Sequence, residues 1–197
     1  MKKILAIHAV EGERINLHFE GAEVTQLQTG VGKAQTAIRL TQALSQTRPD
    51  LVINYGSAGT LTHNVGDLIV CRDFTDRDLE LIGIPDTGSP LSTSALLEEA
   101  GLCSTWTSVT PQETAFFAGH VCSTGDSFVT ETGNIRGDVV DMEAYAAAQA
   151  CLLHNVPFIS VKYVTDIVGQ NSIRQWEEKL ADARLGLKAF FSSRTLS

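Results

Sequence analysis

Short apolar runs recur along the chain and predict strands that are buried on both faces. These runs span residues 4–10, 51–55, 68–71 and 158–164, and a shorter strand is predicted at residues 120–123. Residues 23–27 alternate apolar and polar side chains, as expected of a half-exposed strand. The pattern therefore predicts a sheet whose central strands lie in the interior.

Apolar residues at helical spacing predict helices between the strands, at residues 32–47, 94–100, 142–154 and 172–191. The third helix is rich in alanine, which permits close packing on a sheet. Residues 73–90 are rich in Asp, Gly and Pro and lack a helical period, so we expect a loop that borders a pocket. Strands that alternate with helices indicate an α/β layered domain.

Composition narrows the class of protein. The chain has 197 residues, of which 43% are hydrophobic and 19% charged, and we expect one domain over residues 1–197. A net charge of -8 disfavours nucleic acid or an anionic membrane as the main partner and leaves a small neutral or zwitterionic molecule. No apolar run approaches the ~20 residues of a membrane helix, and the start of the chain leads into a strand, so we expect a cytoplasmic protein.

The cysteines and histidines show no metal-type spacing. The four cysteines are expected to be buried free thiols rather than disulfide or zinc ligands. They are Cys71, Cys103, Cys122 and Cys151. The five histidines match no nucleophile or metal constellation and are assigned no role. We expect no bound metal ion.

Two acids stand at the ends of predicted elements. Asp166 ends an apolar run, and Glu143 lies at the entrance of the alanine-rich helix, after Asp141 and Met142. Taken alone, Asp166 is more often a turn or cap residue, and the helix dipole alone accounts for acids at a helix start. Together they are what the cleavage of a sugar–base bond needs.

Five blocks, the last of which contains Glu143, occur in the order and approximate spacing of one family, at residues 29–33, 54–59, 65–70, 123–129 and 141–144. On these blocks the chain resembles the purine nucleoside phosphorylase and nucleosidase superfamily, most of all its methylthioadenosine/S-adenosylhomocysteine nucleosidase branch. The resemblance runs from near the first residue to Asp166. It implies a mixed β-sheet flanked by helices.

The resemblance implies roles for the acids and their neighbours. Asp166 matches the acid that protonates N7 of adenine, a task suited to a partly desolvated carboxyl with a raised pKa. Aspartate rather than asparagine at this position points to a 6-aminopurine. Met142 matches a residue that packs on the ribose, Glu143 one that accepts hydrogen bonds from the 2′- and 3′-hydroxyls, and Ser57 lies beside the sugar.

Three apolar positions match the walls of the family's pocket. The ring of Phe128 is expected to stack on the purine, and the backbone of Val129 to hydrogen-bond its edge. Val31 matches a residue that lines the 5′ end of the substrate. Ordinary core packing for Phe128 and a turn packed under the next helix for Val31 are the alternatives.

The general base is implied by a family glutamate that follows the first strand. Alignment from Ala9 selects Glu13, with Glu11 as the alternative, and residues 13–29 are fewer than in the resembled enzymes. A solvated acidic turn is the competing interpretation. Phosphorylases of the superfamily carry an arginine where Asn54 stands, so the nucleophile is expected to be water.

The resulting hypothesis is an N-ribosyl hydrolase that acts on 5′-methylthioadenosine or S-adenosylhomocysteine without a metal or organic cofactor. The resemblance also implies a homodimer, and Trp176 is expected at a packing edge or a subunit contact. The alternatives are a phosphorylase, a hydrolase of a related nucleoside such as futalosine, and a nucleoside-binding module without turnover.

Overall fold

The structure is a computed structural model that describes residues 1–83, 89–102, 120–131, 133, 135–170 and 172–194. The strands are β1 Lys2–His8, β2 Ala22–Gln28, β3 Leu51–Thr60, β4 Leu68–Asp76, β5 Leu91–Ser92, β6 His120–Thr124, β7 Val139–Asp141 and β8 Phe158–Ile167. The helices are α1 Lys33–Gln46, α2 Arg77–Ile82, α3 Ser94–Glu99, α4 Ala144–Leu153 and α5 Ser172–Ser192, and a 3₁₀ turn covers Glu11–Glu13. The predicted mixed sheet with flanking helices is confirmed.

Within the described residues, eight strands form one sheet in the order β2-β1-β3-β7-β6-β4-β5, and β8 pairs with both β3 and β4. β3 pairs in parallel with β1 and β8, whereas its contact with β7 is antiparallel. β8 pairs with both β3 and β4, and β3 is also connected to β4 through β7 and β6, so these five strands close into a ring. Near the end of β3, Gly59 pairs with Val140 of β7 and with Asp166 of β8, so the ends of these three strands meet at one place.

The sheet buries apolar side chains on both faces, because successive residues of a strand point to opposite sides. Leu5 and Ile7 of β1 belong to a core cluster that includes residues of α1 and α4. Ile4 and Ala6 belong to a second cluster that includes the end of α5. This two-sided burial explains why the central strands are almost wholly apolar in sequence.

The expectation of a loop over residues 73–90 is wrong for its first part. β4 continues to Asp76, and α2 follows at once. The Asp76 side chain accepts hydrogen bonds from the backbone N–H of Asp78 and Leu79 and caps this helix. Gly83, with a φ of 67°, ends it. Residues 84–88 lie outside the described part.

Three of the four cysteines, Cys71, Cys122 and Cys151, are buried free thiols, as predicted, and Cys103 lies outside the described residues. Burial raises the pKa of the Cys151 thiol, which therefore stays protonated. No helix in the described part of the chain combines the length and the apolar character needed to cross a membrane.

Candidate active site

A cavity of about 280 Å³ lies where the ends of β3, β7 and β8 meet. Its volume is near the lower end of the ~300–1,000 Å³ typical of small-molecule sites. All eight residues predicted from the sequence line it. These are Glu13, Val31, Ser57, Phe128, Val129, Met142, Glu143 and Asp166. The further lining residues include Arg77, Asp141, Ile173 and Trp176.

Asp166 lies near the end of β8 and is only 2% exposed. The β3–β8 register shifts between Ala58 and Gly59, so that Gly59 pairs with Asp166. Such bulges redirect side chains beside functional sites. A Cβ on Gly59 would lie 2.9 Å from Asp166 Oδ2, so the glycine makes room for the carboxylate. Thr165 Oγ1 donates a hydrogen bond of 2.9 Å to Asp166 Oδ1.

Glu13 ends the 3₁₀ turn after β1 and is 6% exposed. Its Oε1 accepts hydrogen bonds from Ser57 N at 2.8 Å and from Ser57 Oγ at 2.6 Å. Trp176 Nε1 donates in turn to Ser57 Oγ at 2.9 Å. A Cβ on Gly56 would lie 2.9 Å from Glu13 Oε1, so this glycine also makes room for a carboxylate. The chain of bonds fixes Glu13 against β3 at the cavity wall.

Glu143 precedes α4 and is 7% exposed. Its Oε1 accepts a hydrogen bond of 2.9 Å from Gly32 N, which ties it to the turn before α1. Burial, together with the negative charge of nearby Asp141, raises the pKa of Glu143 to about 7. Near neutral pH this carboxyl is therefore poised between its charged and neutral forms.

Asp141 and Lys162 form a buried ion pair near Glu143, with 2.8 Å between Lys162 Nζ and Asp141 Oδ2. Asp141 also accepts hydrogen bonds from Thr124 Oγ1 at 2.6 Å and from Ala144 N at 2.9 Å. Burial opposes ionisation, but the charge of Lys162 and these bonds lower the pKa of Asp141. Asp141 therefore stays ionised and holds the start of α4.

The outer wall of the cavity is apolar. Val31, Phe128 and Ile173 line it and are 47%, 39% and 53% exposed. The Phe128 ring meets the Trp176 ring edge to face, with 6.4 Å between centroids. Exposed apolar side chains at a cavity mouth are suited to contact with an apolar ligand group or a second chain.

Arg77 is the one basic residue among the described residues that line the cavity. It is 6% exposed, and its guanidinium donates to four backbone carbonyls, those of Ser123, Gly125, Ser127 and Asp141. Arg77 therefore fastens the segment before Phe128 to the end of β7. Its position at the start of α2 lies in the segment that was predicted to be a loop.

Lys33, at the start of α1, forms ion pairs with two carboxylates. Its Nζ lies 2.8 Å from Asp76 Oδ1 and 2.8 Å from Asp78 Oδ2. Burial opposes its charge, but the two carboxylates raise the pKa of Lys33 above its ordinary value. These contacts join the turn before α1 to the start of α2.

One expectation about the site needs correction. Asn54 lies outside the cavity lining, and its Oδ1 accepts a hydrogen bond from Ser160 Oγ in the interior. Asn54 therefore gives no evidence on whether the nucleophile is water or phosphate. Trp176 lines the cavity, and its expected place at a packing edge or a subunit contact stays a prediction. Glu11 is exposed and pairs with Arg14 at 3.5 Å, so of the two candidate bases only Glu13 lines the cavity.

Comparisons with known proteins point to one family. A family model described as the phosphorylase superfamily matches residues 6–192. A 5′-methylthioadenosine/S-adenosylhomocysteine nucleosidase of Bacillus subtilis (strain 168) is 32% identical over 182 residues, which cover 84% of this chain and 77% of that protein. The enzyme of the same name from Haemophilus influenzae (strain PittEE) is 34% identical over 161 residues, covering 75% and 70%.

Solved structures share the fold. The nucleosidase of Colwellia psychrerythraea 34H, solved in complex with adenine, has a TM-score of 0.74 at 23% identity, covering 97% of this chain and 93% of that one. Futalosine hydrolase of Helicobacter pylori has a TM-score of 0.76 at 17% identity, covering 98% and 96%. At these identities the likeness establishes the fold and leaves the substrate open.

Proposed function

This chain belongs to the phosphorylase superfamily, and we propose that within it the protein is a nucleosidase that hydrolyses the glycosidic bond of an adenine nucleoside. The observation that carries the proposal is the meeting of three buried carboxylates, Asp166, Glu13 and Glu143, around one cavity. The names of the curated relatives support the same reaction and favour 5′-methylthioadenosine or S-adenosylhomocysteine as substrate.

In the proposed reaction Asp166 is the general acid. It transfers its proton to N7 of the adenine, so that the base leaves as a neutral molecule when the bond to the anomeric carbon breaks. Asp166 is suited to this role by its place, because it lines the cavity and is only 2% exposed. The phenyl ring of Phe128 and the backbone of Val129 would hold the base.

The sugar lies between Met142 and Glu143 in this proposal. Glu143 in its ionised form accepts hydrogen bonds from the 2′- and 3′-hydroxyls and stabilises the positive charge that develops on the ribose. Water adds to the anomeric carbon from the side opposite the base, and Glu13 takes the proton that this water loses. Ser57 and Trp176 hold Glu13 in place.

The bonding of two basic residues, Arg77 in the cavity wall and Lys33 at the start of α1, argues for water rather than phosphate as nucleophile. A phosphorylase needs free positive charge beside the sugar to bind a phosphate dianion. Arg77 donates to four carbonyls, and the Lys33 ammonium pairs with two carboxylates. In addition, the carboxylate of Glu13 would repel phosphate.

Product analysis tests the reaction directly. We expect adenine and a free ribose-type sugar at the same rate with phosphate absent and with phosphate in excess. A sugar 1-phosphate, or activity that disappears without phosphate, would make the protein a phosphorylase. Binding of the nucleoside without release of adenine would make it a binding module.

We propose that the 5′ substituent lies against the apolar side chains of Val31 and Ile173, which suit a thioether better than a charged group. A panel of adenine nucleosides that differ only at the 5′ position tests this part of the proposal. Futalosine is included because the fold is shared with a futalosine hydrolase. A preference for futalosine over 5′-methylthioadenosine would overturn the substrate assignment.

The pH dependence of kcat/KM should reflect the protonation of Glu143. Because its pKa is raised to about 7, lowering the pH through neutrality protonates this carboxyl and removes its charge from the sugar site. We expect kcat/KM to fall on the acid side of about pH 7, approaching tenfold per pH unit. The Glu143→Gln variant should be less active and should lack this acid limb. A wild-type kcat/KM that stays constant from about pH 8 down to about pH 5.5 would contradict the assignment.

We also propose that the protein is a cytoplasmic homodimer whose 197 residues form one domain. The exposed Val31, Phe128 and Ile173 at the cavity mouth support the dimer, because a second chain that covers them would bury apolar surface. Light scattering at assay concentration should give the mass of two chains. An active monomer would contradict this expectation.

A further inference from the structure

Three side chains with metal-binding chemistry meet at or just beyond the ends of β3, β6 and β7, and none of the three is among the cavity-lining residues. His63 follows β3, His120 is the first residue of β6, and Asp138 precedes β7. In the sequence these residues are far apart and show no metal-type spacing, which is why the sequence alone predicts no bound metal ion. The fold brings them together because β6 and β7 pair side by side, and β7 also pairs with the end of β3.

The geometry of the three groups resembles that of an ion site. Asp138 Oδ1 lies 3.4 Å from His63 Nε2 and 3.5 Å from His120 Nδ1. One ligand atom from each residue lies within 4.8 Å of the other two. In a tetrahedral zinc site with bonds of about 2.0–2.1 Å, neighbouring ligand atoms are about 3.3–3.4 Å apart. A modest rotation of the rings would therefore bring all three within reach of one ion.

The backbone holds the carboxylate in this position. Asp138 Oδ2 accepts a hydrogen bond of 2.8 Å from Val121 N, which leaves Oδ1 toward the imidazoles. Thr60 Oγ1 donates to Asp138 O at 2.7 Å and accepts from His63 N at 3.1 Å.

A second carboxylate stands behind one imidazole. Asp67 Oδ2 lies 3.9 Å from His63 Nδ1, the ring nitrogen on the other side from Asp138, so the ring would have to shift slightly to form a hydrogen bond with it. In metal sites the histidine ligand commonly directs its second nitrogen to a carboxylate, which fixes the ring and increases its basicity. The side chains of His63, His120 and Asp138 are 17%, 26% and 33% exposed, so solvent reaches the cluster and an ion can enter.

We propose that His63, His120 and Asp138 bind one divalent transition-metal ion of the zinc class, with water as a further ligand. Two imidazoles and one carboxylate favour Zn²⁺, Ni²⁺ or Cu²⁺ over Mg²⁺ and Ca²⁺, which prefer oxygen ligands. The ion would link the end of β3 to β6 and to the segment before β7. Gly59 of β3 and Val140 of β7 line the cavity, so the ion would stabilise two strands that form the cavity wall. No step of the proposed reaction passes through it.

Zinc binding to the full chain tests the proposal, after treatment with a chelator and removal of that chelator. We expect one Zn²⁺ per chain by titration calorimetry, and a higher Tm with Zn²⁺ than without. The His63→Gln and His120→Gln variants should each bind at least about 10- to 100-fold more weakly. The matched control is His18→Gln, since His18 is exposed and lies outside the cluster; it should bind like wild type.

Equal zinc affinity in wild type and both cluster variants would overturn the proposal and would reduce the cluster to His–Asp ion pairs. A measurement that needs no variant is the visible spectrum with Co²⁺, in which tetrahedral nitrogen and oxygen ligation gives intense absorption bands. The spectrum of hydrated Co²⁺ alone would count against the site. Adenine release is measured on the same samples, so a failed metal site remains distinct from a failed nucleosidase.

Discussion

The Asp166→Asn variant is expected to fold and to bind the nucleoside, but to lose about 10²- to 10⁴-fold in kcat. Asparagine has nearly the same shape, and its side-chain oxygen can still accept the hydrogen bond from Thr165 Oγ1. It has no acidic proton, so the adenine would have to leave as an anion. The loss should therefore appear in turnover rather than in substrate affinity.

The measurement is adenine release under saturating substrate, with binding followed separately by calorimetry. Asp73→Asn is the matched control, because Asp73 is a partly buried aspartate of β4 outside the cavity lining. It should keep nearly the wild-type kcat. A kcat near that of wild type in Asp166→Asn would remove Asp166 from the role of general acid.

The apolar runs of the sequence predicted the central strands because burial on both faces leaves few polar positions. The apolar runs did not predict the full lengths of these strands. β3 and β8 run on to Thr60 and Ile167 through Gly, Ser, Thr and Asp, residues that are typical of turns. They stay extended because each strand pairs with the other to its end, and pairing between distant segments is not visible in local composition.

The short helix α2 has recognisable start and stop signals in the sequence. Asp76 is an N-cap residue followed by acids in the first turn, and Gly83 supplies the left-handed end. The Asp, Gly and Pro residues that follow are typical of loops, so the whole of residues 73–90 was predicted as one loop. The error mattered, because Arg77 of this helix fastens the segment before Phe128.

The eight predicted site residues came mainly from the family resemblance, whereas Trp176 did not. Nothing local marks a tryptophan on an amphipathic helix as a cavity residue. Its role depends on α5 crossing β3, so that the indole N–H reaches Ser57 Oγ. The two glycines of β3 show a similar dependence, since a Cβ on Gly56 or Gly59 would lie 2.9 Å from the carboxylate of Glu13 or Asp166, respectively.

The shortened segment after Glu13 is the point at which the resemblance was weakest, and the packing there supports the candidate base. Ile15, Leu17 and Phe19 are buried in alternation and join the cluster beneath α5. The segment thus packs as an extended chain between the 3₁₀ turn and β2. It holds Glu13 at the cavity despite its short length.

The Glu13→Gln variant is the second change for which we expect a large effect, a loss of about 10²- to 10⁴-fold in kcat. Glutamine keeps the size of the side chain, and its oxygen can still accept both hydrogen bonds from Ser57. It cannot accept a proton from the attacking water. The substrate should therefore bind while hydrolysis stalls.

The chain itself offers the matched control, Glu11→Gln, two residues away on the same 3₁₀ turn. The Glu11 side chain is 70% exposed and pairs with Arg14, so its replacement should change kcat by less than about twofold. Adenine release by both variants, measured at the same protein concentration, decides between the two acids. Equal losses in both would indicate a general charge effect of the turn. A larger loss in Glu11→Gln would transfer the role of base to Glu11, because a residue that only stabilises the turn has no reason to affect turnover more than the carboxylate at the cavity wall.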